Sequence, residues 1–371
     1  MQARPTVPRT WLGCSAAGAL SGGFLALGFD WTALAWLSPV AIACLLLTLR
    51  GQSVRRSALV GYCFGVGFFG LLLWWMVASI GLGGWMALTV VQAAWFALAA
   101  VGTRCVAELP WSPIWVAAIW TLVELVRGQW PLGGFPWGRL GFIVVDTPWV
   151  GLLPYVGVTG AGLIVVAAAQ AIAVVVRARD VRTVTVPALA AVATLLPVVF
   201  PFTVDSEESL TVGTVQGGVP GRGNDVGANH REVTRNHVSA TLDLARRVGA
   251  GELAAPDIVV WPENSTAVDP VKDLELGTGL AEAAAAVGVP LLVGALVDGS
   301  SSNEVLNQGI VWSPTGPTGI RYTKHHPVPF GEYIPFRPLL GGLSERFERI
   351  PRDMKAGAGS APLVIGGVRV A

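Results

Sequence analysis

Long apolar stretches follow one another through the first half of the chain. A helix needs about 20 apolar residues to cross the hydrocarbon core of a bilayer. Seven stretches come close to this length or exceed it, at roughly 11–29, 31–49, 57–79, 84–103, 111–127, 148–176 and 184–203. The pattern therefore predicts a polytopic α-helical membrane domain of about seven spans in residues 1–203.

After Ser209 the pattern changes to short β-rich runs between polar helical stretches. The runs at 210–216, 257–261, 290–294 and 309–312 are mostly continuous apolar segments, which is typical of strands buried on both faces. Residues 229–248 and 271–287 have helical spacing. Strands that alternate with helices predict a layered α/β domain over residues 204–371.

Composition and charge support a membrane protein with two different halves. Of its 371 residues, 53% are hydrophobic and only 13% charged, the mean hydropathy is +0.59 and the net charge is +1. The small net charge argues against a nucleic-acid partner. Residues 1–203 contain eleven Arg, no Lys and all four cysteines, whereas all three Lys follow. The cysteines lack metal-type spacing, so we interpret them as packing residues.

The distribution of arginine predicts the orientation of the spans. With a cytoplasmic N-terminus, nine Arg fall in the inside segments, and only Arg127 and Arg139 fall outside. The positive-inside rule favours this arrangement. Seven crossings would then place residues 204–371 on the extracytoplasmic side of the membrane.

Two charged residues lie in the fifth apolar stretch. Glu124 and Arg127 are three residues apart, on one helical face, so they could form an ion pair that makes the span tolerable. Alternatively, they could line a polar site near the outer interface that holds a lipid headgroup, flanked by amphipathic tryptophans such as Trp137. The sequence leaves both interpretations open.

Candidate catalytic residues follow two of the predicted strands. Glu263 comes directly after the strand at 257–261, where desolvation would raise its pKa towards that of a general base. Lys324 follows another apparent strand and could donate to a developing oxyanion, while Glu332, eight residues later, could orient it or contact substrate. His325 and His326 are adjacent, but no third ligand cluster accompanies them, so we predict no metal site.

Several segments resemble a known family. They are Val215-Gln216-Gly217, the segment Trp120 to Gly141 with its Glu-x-x-Arg-Gly and Gly-Phe-Pro-Trp elements, Pro262-Glu263, and Lys-x-His-x-Val-Pro-Phe-Gly-Glu-Tyr-x-Pro from Lys324 to Pro335. Behind a polytopic N-terminus, they resemble the bacterial apolipoprotein N-acyltransferases. The resemblance implies a nitrilase-like α-β-β-α sandwich with a Glu-Lys-Cys triad, in which Glu263 is the base, Lys324 stabilises the tetrahedral intermediate and Glu332 is a supporting acid.

The resemblance also implies a location, substrates and a nucleophile. The expected protein is a multi-pass, cofactor-free monomer of the bacterial cell membrane that moves an acyl chain from a phospholipid to the N-terminal amine of a diacylglyceryl-cysteine apolipoprotein. The family's nucleophilic cysteine would be expected just beyond Ala371. We therefore expect an incomplete, C-terminally truncated sandwich that is inactive as written.

Three other functions are compatible with the sequence. A membrane-attached carbon–nitrogen hydrolase could use the same triad on a small amide, although a simple anchor would not need seven spans. The chain could also be a transporter or a non-catalytic lipid-binding fragment. Transport is disfavoured because the sequence has no inverted repeat and no pair of broken helices in corresponding positions.

Overall fold

The structure is a computed structural model that describes residues 10–178, 202–203, 209–220, 229–342, 347–348, 350–359 and 361–370. The chain divides into two compact units, Met1–Val204 and Asp205–Ala371.

The first unit is helical. Its elements are α1 Trp11–Asp30, α2 Thr32–Ala35, α3 Ser38–Leu49, α4 Val54–Leu72, α5 Met76–Val106, α6 Ser112–Arg127 and α7 Leu153–Ala178, with short 3₁₀ helices at Leu140–Val144 and Pro148–Leu152. Within the described residues, three helical segments are long and apolar enough to cross a membrane: Trp11–Asp30, Met76–Val106 and Trp149–Arg177. This unit is a membrane domain.

The helix boundaries differ from the predicted stretches at several points. The stretch 31–49 is divided into α2 and α3, because the chain turns at Trp36 and restarts at Ser38 with Pro39 in the first helical turn. Helix α5 begins at Met76, inside the predicted span 57–79, and bends at Gly81, where φ is 77°. Of the stretch 184–203, only residues 202–203 lie within the described part of the chain.

Close backbone contact between α1 and α4 organises the core of the membrane domain. A Cβ on Gly22 would lie 2.0 Å from the Phe64 carbonyl oxygen, and one on Gly67 would lie 2.1 Å from that of Ala19. Only glycine permits this approach. Beside the α1–α4 contact, the ring centroids of Phe64 and Phe96 are 5.2 Å apart, and those of Phe96 and Trp120 are 5.1 Å apart.

The second unit contains a mixed sheet. Its elements are β1 Val212–Thr214, α8 His230–Gly249, β2 Ile258–Val260, α9 Leu274–Val287, β3 Leu291–Asp298, β4 Glu304–Ser313, β5 Gly316–Thr323, α10 Arg337–Leu340, β6 Asp353–Met354, β7 Leu363–Ile365 and β8 Val368–Val370. The strand order is β1-β2-β3-β4-β5, with β6 beside β4. The first three strands are parallel, and β3, β4 and β5 pair antiparallel. All four predicted strands and both predicted helices are present, so this unit is an α/β domain.

Layers cover both faces of this sheet. Apolar residues of α8 and α9, including Leu280, pack with Val259 and Val293 on one face. On the other face, Ile365 of the β7–β8 hairpin packs against Ile258 and Val311. The expectation of continuous burial holds only in part, because residues of β3 alternate between buried and half-buried and those at the two ends of β1 are exposed.

Candidate active site

Glu263 lies in a tight turn that follows β2. Asn264 adopts a left-handed backbone conformation, with φ at 59°, which reverses the chain directly after the glutamate. Gly294 of the neighbouring strand β3 lies under this turn, and a Cβ there would approach the Pro262 carbonyl oxygen to 2.2 Å and Glu263 Cα to 2.7 Å. The glycine therefore allows the sheet to support the turn from close range.

Helix α8 holds the residues on both sides of Glu263. Trp261 Nε1 donates to Thr241 Oγ1 at 2.9 Å, and Thr234 Oγ1 donates to the Ser265 carbonyl at 3.1 Å. All four residues are buried. The glutamate is thus fixed two residues before and two residues after its own position.

Lys324 follows β5, as predicted. Its backbone N–H donates to the Asn307 carbonyl of β4 at 2.8 Å, and its own carbonyl accepts from Gly357 N–H at 2.9 Å. Its side chain is 25% exposed. The lysine is therefore held at the end of the β4–β5 pair by main-chain bonds on both sides.

Glu332 is held by a short turn of its own segment. Its backbone N–H donates to the Val328 carbonyl at 2.8 Å, and Val328 N–H donates to Glu332 Oε2 at 2.8 Å. The Glu332 carbonyl accepts from Met354 N–H of β6 at 2.9 Å. One carboxylate oxygen is occupied by the main chain, which leaves Oε1 to face the site.

The three predicted residues meet around one ammonium group. Lys324 Nζ donates to Glu263 Oε1 and to Glu332 Oε1, each at 2.8 Å. The Glu263 side chain is 52% exposed, whereas that of Glu332 is only 12% exposed. The structure therefore brings together Glu263, Lys324 and Glu332, and it leaves the Glu263 carboxylate open to an incoming group.

Asn307 is a site residue that the sequence analysis missed. Its Nδ2 donates to Glu263 Oε1 at 2.5 Å and to Glu332 Oε1 at 3.4 Å. The available signal was the Asn307-Gln308 pair directly before the predicted strand 309–312; the observed strand β4 includes both residues, and both are buried. A buried amide needs hydrogen-bond partners, and the two carboxylates provide them.

The expected upward pKa shift of Glu263 is wrong. Burial does favour the neutral acid, but the hydrogen bonds from Lys324 and Asn307 outweigh it and hold the pKa of Glu263 below its usual value. Burial also opposes the charge on Lys324, yet its bonds to Glu263 and Glu332 raise the Lys324 pKa. At neutral pH the site thus contains an ionised Glu263 beside a protonated lysine.

The two histidines after Lys324 are engaged with local structure. His325 Nδ1 is 2.7 Å from the Gly357 carbonyl oxygen, and the His325 and His326 ring centroids are 4.4 Å apart. Across the described residues, no group of three or more His, Cys, Asp or Glu side chains is arranged to hold a metal ion.

In the membrane domain, Glu124 and Arg127 bind the loop that follows α6. Glu124 Oε1 accepts from Leu140 N–H at 3.0 Å, and Arg127 Nη1 donates to the Phe135 and Trp137 carbonyls at 2.7 and 2.9 Å. Both side chains are buried, and no ion pair joins them among the described residues. The i, i+3 spacing put them on one face, but the returning loop supplies their partners. Trp137 is 51% exposed.

Comparisons with known proteins agree with this two-part architecture. Residues 21–171 match the family model for the apolipoprotein N-acyltransferase N-terminal domain. The chain is 32% identical to an apolipoprotein N-acyltransferase of Pseudomonas putida, over 92% of this chain and 71% of that protein. The chain belongs to the apolipoprotein N-acyltransferase family. Together with the apolar helices, this places the protein among bacterial membrane proteins.

Other apolipoprotein N-acyltransferases are longer than the region matched. The Mycolicibacterium smegmatis protein is 33% identical over 91% of this chain but only 61% of its own length, and the Photobacterium profundum protein is 32% identical over 84% of this chain and 62% of its own length. The chain thus spans about three fifths of these relatives. Its four cysteines, Cys14, Cys44, Cys63 and Cys105, all belong to the membrane domain.

Proposed function

We propose that this protein transfers an acyl chain from a membrane phospholipid to the N-terminal amine of a diacylglyceryl-cysteine apolipoprotein, through a cysteine thioester. The observation that carries the proposal is the bridge from Lys324 Nζ to Glu263 and Glu332, at 2.8 Å each. It occurs in a chain of the apolipoprotein N-acyltransferase family. The acyl donor and acceptor are inferred from the names and chemistry of that family.

In the proposed mechanism Glu263 is the general base. Its ionised carboxylate accepts the proton of a cysteine thiol, and the thiolate attacks the ester carbonyl of the phospholipid. The resulting oxyanion is stabilised by the Lys324 ammonium. Collapse of this intermediate breaks the ester C–O bond, and Glu263 returns the proton to the departing lysophospholipid oxygen.

The second half of the reaction reuses the same carboxylate. The free amine of the apolipoprotein attacks the thioester carbonyl, Glu263 accepts the amine proton, and the thiol leaves with that proton. A lowered pKa keeps Glu263 ionised but makes it a weak base. An acyl chain over its exposed side would exclude water and raise its pKa when the base is needed.

The nucleophile is assigned to a cysteine outside these 371 residues. All four cysteines of the chain lie before Thr203, and the relatives extend beyond the region matched. The β7–β8 hairpin lies on the face of the sheet opposite α8 and α9. We interpret it as the start of the second sheet of a nitrilase-like α-β-β-α sandwich.

In the proposed architecture this sandwich lies on the extracytoplasmic side of the membrane. Residues 1–203 would form seven spans with a cytoplasmic N-terminus, and residues 204–371 would belong to the extracytoplasmic domain of a monomer. Glu124, Arg127 and Trp137 would act at the membrane domain's lipid-binding surface. The two buried side chains hold the loop, and the exposed indole of Trp137 contacts lipid.

Acyl-adduct formation tests this function. The 371-residue chain and a version extended through the family's following segment are incubated with phospholipid vesicles and measured by intact mass spectrometry. We expect a stoichiometric acyl adduct on a cysteine of the extended protein and none on the shorter chain. An unmodified thiol in the extended protein, while an apolipoprotein acceptor is still acylated, would contradict the thioester mechanism.

Glu263→Gln in the extended protein should reduce adduct formation by at least about 10²-fold, because it removes the proton acceptor. The matched control is Glu282→Gln, which changes an exposed glutamate of α9. Wild-type adduct yield in Glu263→Gln would remove Glu263 from the role of base.

A further inference from the structure

Asn307 occupies a position in β4 from which it contacts all three residues of the site. Its side-chain amide donates to Glu263 and Glu332, and its backbone carbonyl accepts from Lys324 N–H at 2.8 Å. The residue is only 6% exposed. Asn307 pairs with Leu296 of β3 on one side and accepts from Lys324 N–H on the other, so it has little freedom to move away.

The charges at the site explain why a neutral donor is useful there. Two carboxylates face one ammonium group, so each shares the same cation. Close carboxylates repel each other unless donors compensate their charge, and otherwise one of them takes up a proton. A third charged residue would change the net charge, whereas an amide supplies two N–H donors and no charge.

The neighbours of Asn307 determine which end of its side-chain amide, NH₂ or C=O, faces the carboxylates. Ionised carboxylate oxygens only accept hydrogen bonds, so the amide must present its NH₂ group to them. Both bonds end on the Oε1 atoms that also bind Lys324. Each of these two oxygens is thus fixed by two donors.

We propose that Asn307 is a positioning residue that keeps the carboxyl groups of Glu263 and Glu332 on Lys324, so that the ammonium is held between the two side chains. This inference rests on the proposed function for its catalytic meaning. The arrangement itself can be tested without turnover.

The small number of lysines allows a direct test. The chain contains only Lys272, Lys324 and Lys355, so competitive labelling with an amine-reactive anhydride from pH 7 to 12, followed by peptide mass spectrometry, gives one titration curve for each. In Asn307→Leu, we expect Glu263 to turn towards solvent, which lowers the labelling midpoint of Lys324 by about one pH unit. An unchanged Lys324 midpoint in this variant would overturn the proposal.

Asn307→Asp tests the same arrangement with the opposite sign. In the labelling range its carboxylate is ionised and adds a negative charge beside Lys324, so the Lys324 midpoint should rise by about one pH unit. A fall in this variant would contradict a positioning role. If Asn307→Leu fails to fold, the midpoint of Lys272, which Asp298 holds high, falls as well, and the aspartate variant then decides.

Gln308→Leu is the matched control. Gln308 is the next residue of β4, is equally buried, and donates through Nε2 to Thr323 Oγ1 at 2.9 Å. Loss of this amide should leave the Lys324 midpoint within experimental error of the wild type. An equal shift in both leucine variants would mean general loosening of the strand and would overturn the proposal.

The two proposals fail in different ways. If the extended protein forms no thioester but the Asn307 variants shift Lys324 as described, the proposed acyl transfer is wrong and the positioning role stands. If the thioester forms and Lys324 titrates identically in all variants, the function stands and the positioning role of Asn307 is wrong.

Discussion

The two units of this protein each combine a glutamate with a cation, but in different ways. In the membrane domain, Glu124 is 6% exposed and Arg127 is 1% exposed, and the loop after α6 provides partners for both. In the α/β domain, the Glu263 side chain is 52% exposed and binds Lys324 directly. Hydrogen bonds to the main chain of the returning loop make the first pair a structural clamp. An open carboxylate makes the second pair available for chemistry.

Removing the clamp should have the largest effect on stability. Arg127→Met leaves the Phe135 and Trp137 carbonyls without their donor and removes one of the two arginines near Glu124, which should lower the free energy of unfolding by about 3 kcal/mol. Thermal unfolding of the detergent-solubilised chain would measure this loss. The control is Arg55→Met, an exposed arginine in the first turn of α4.

A change below about 0.5 kcal/mol in Arg127→Met, similar to that of Arg55→Met, would contradict the structural role of Arg127. Arg127 would then be no more a clamp than a surface arginine. The adduct yield of the extended Arg127→Met protein distinguishes a structural from a functional role of Arg127, because a purely structural clamp affects yield only through stability.

Two glycines that pair across β3 and β4 test how closely Glu263 is supported. A Cβ on Gly294 would meet the Pro262 carbonyl oxygen at 2.2 Å, whereas one on Gly309 would meet only Leu292 Cδ1 at 3.4 Å. Gly294→Ala should therefore cost about 2 kcal/mol and displace the turn. Gly309→Ala should cost much less. Hydrogen exchange of the β3 amides would distinguish them, and equal protection in both variants would refute close support of the turn.

The smallest expected effect is a pH dependence of the contact between Glu263 and Lys324. The pKa of Glu263 is lowered in the folded protein, so this contact stabilises fully above the ordinary glutamate pKa of about 4.3 and is lost as pH falls through the lowered value. For a half-exposed carboxylate, the protection factor of the Lys324 amide, taken relative to an unfolded peptide at the same pH, should fall by no more than about fivefold on acidification. Glu263→Gln should remove this pH dependence of the Lys324 amide. An unchanged pH profile in the variant would assign the pH dependence to another group.

The sequence allowed the three charged residues of the site to be predicted, because they follow strands or lie in a rigid Pro- and Gly-containing segment. It did not reveal Asn307, which is 44 residues from Glu263 and comes close only through the pairing of β4 with its neighbours. The direction of the Glu263 pKa shift was missed for the same reason. Burial can be inferred from a strand end, but the donors that overcome burial come from elsewhere in the chain.

The fold was predicted best where periodicity is long and uninterrupted. Helices α1 and α8 begin and end within about two residues of their predicted limits. The prediction of one helix over 31–49 was wrong, because apolar character continues through Trp36 and Leu37, where the helix is interrupted. Hydropathy does not detect such a turn. The short strand β6 has too few residues to carry a pattern at all.

The attachment of the Glu263 turn to helix α8 changes how this residue moves. Thr241 and Thr234 hold positions 261 and 265 from a single helix of 20 residues. A glutamate in a loop would ordinarily sample many orientations, but here the backbone on both sides of it is bonded to α8. The Glu263 carboxylate thus combines the accessibility of a loop with the low configurational freedom of a helix, so that a bound group would cost little further ordering entropy.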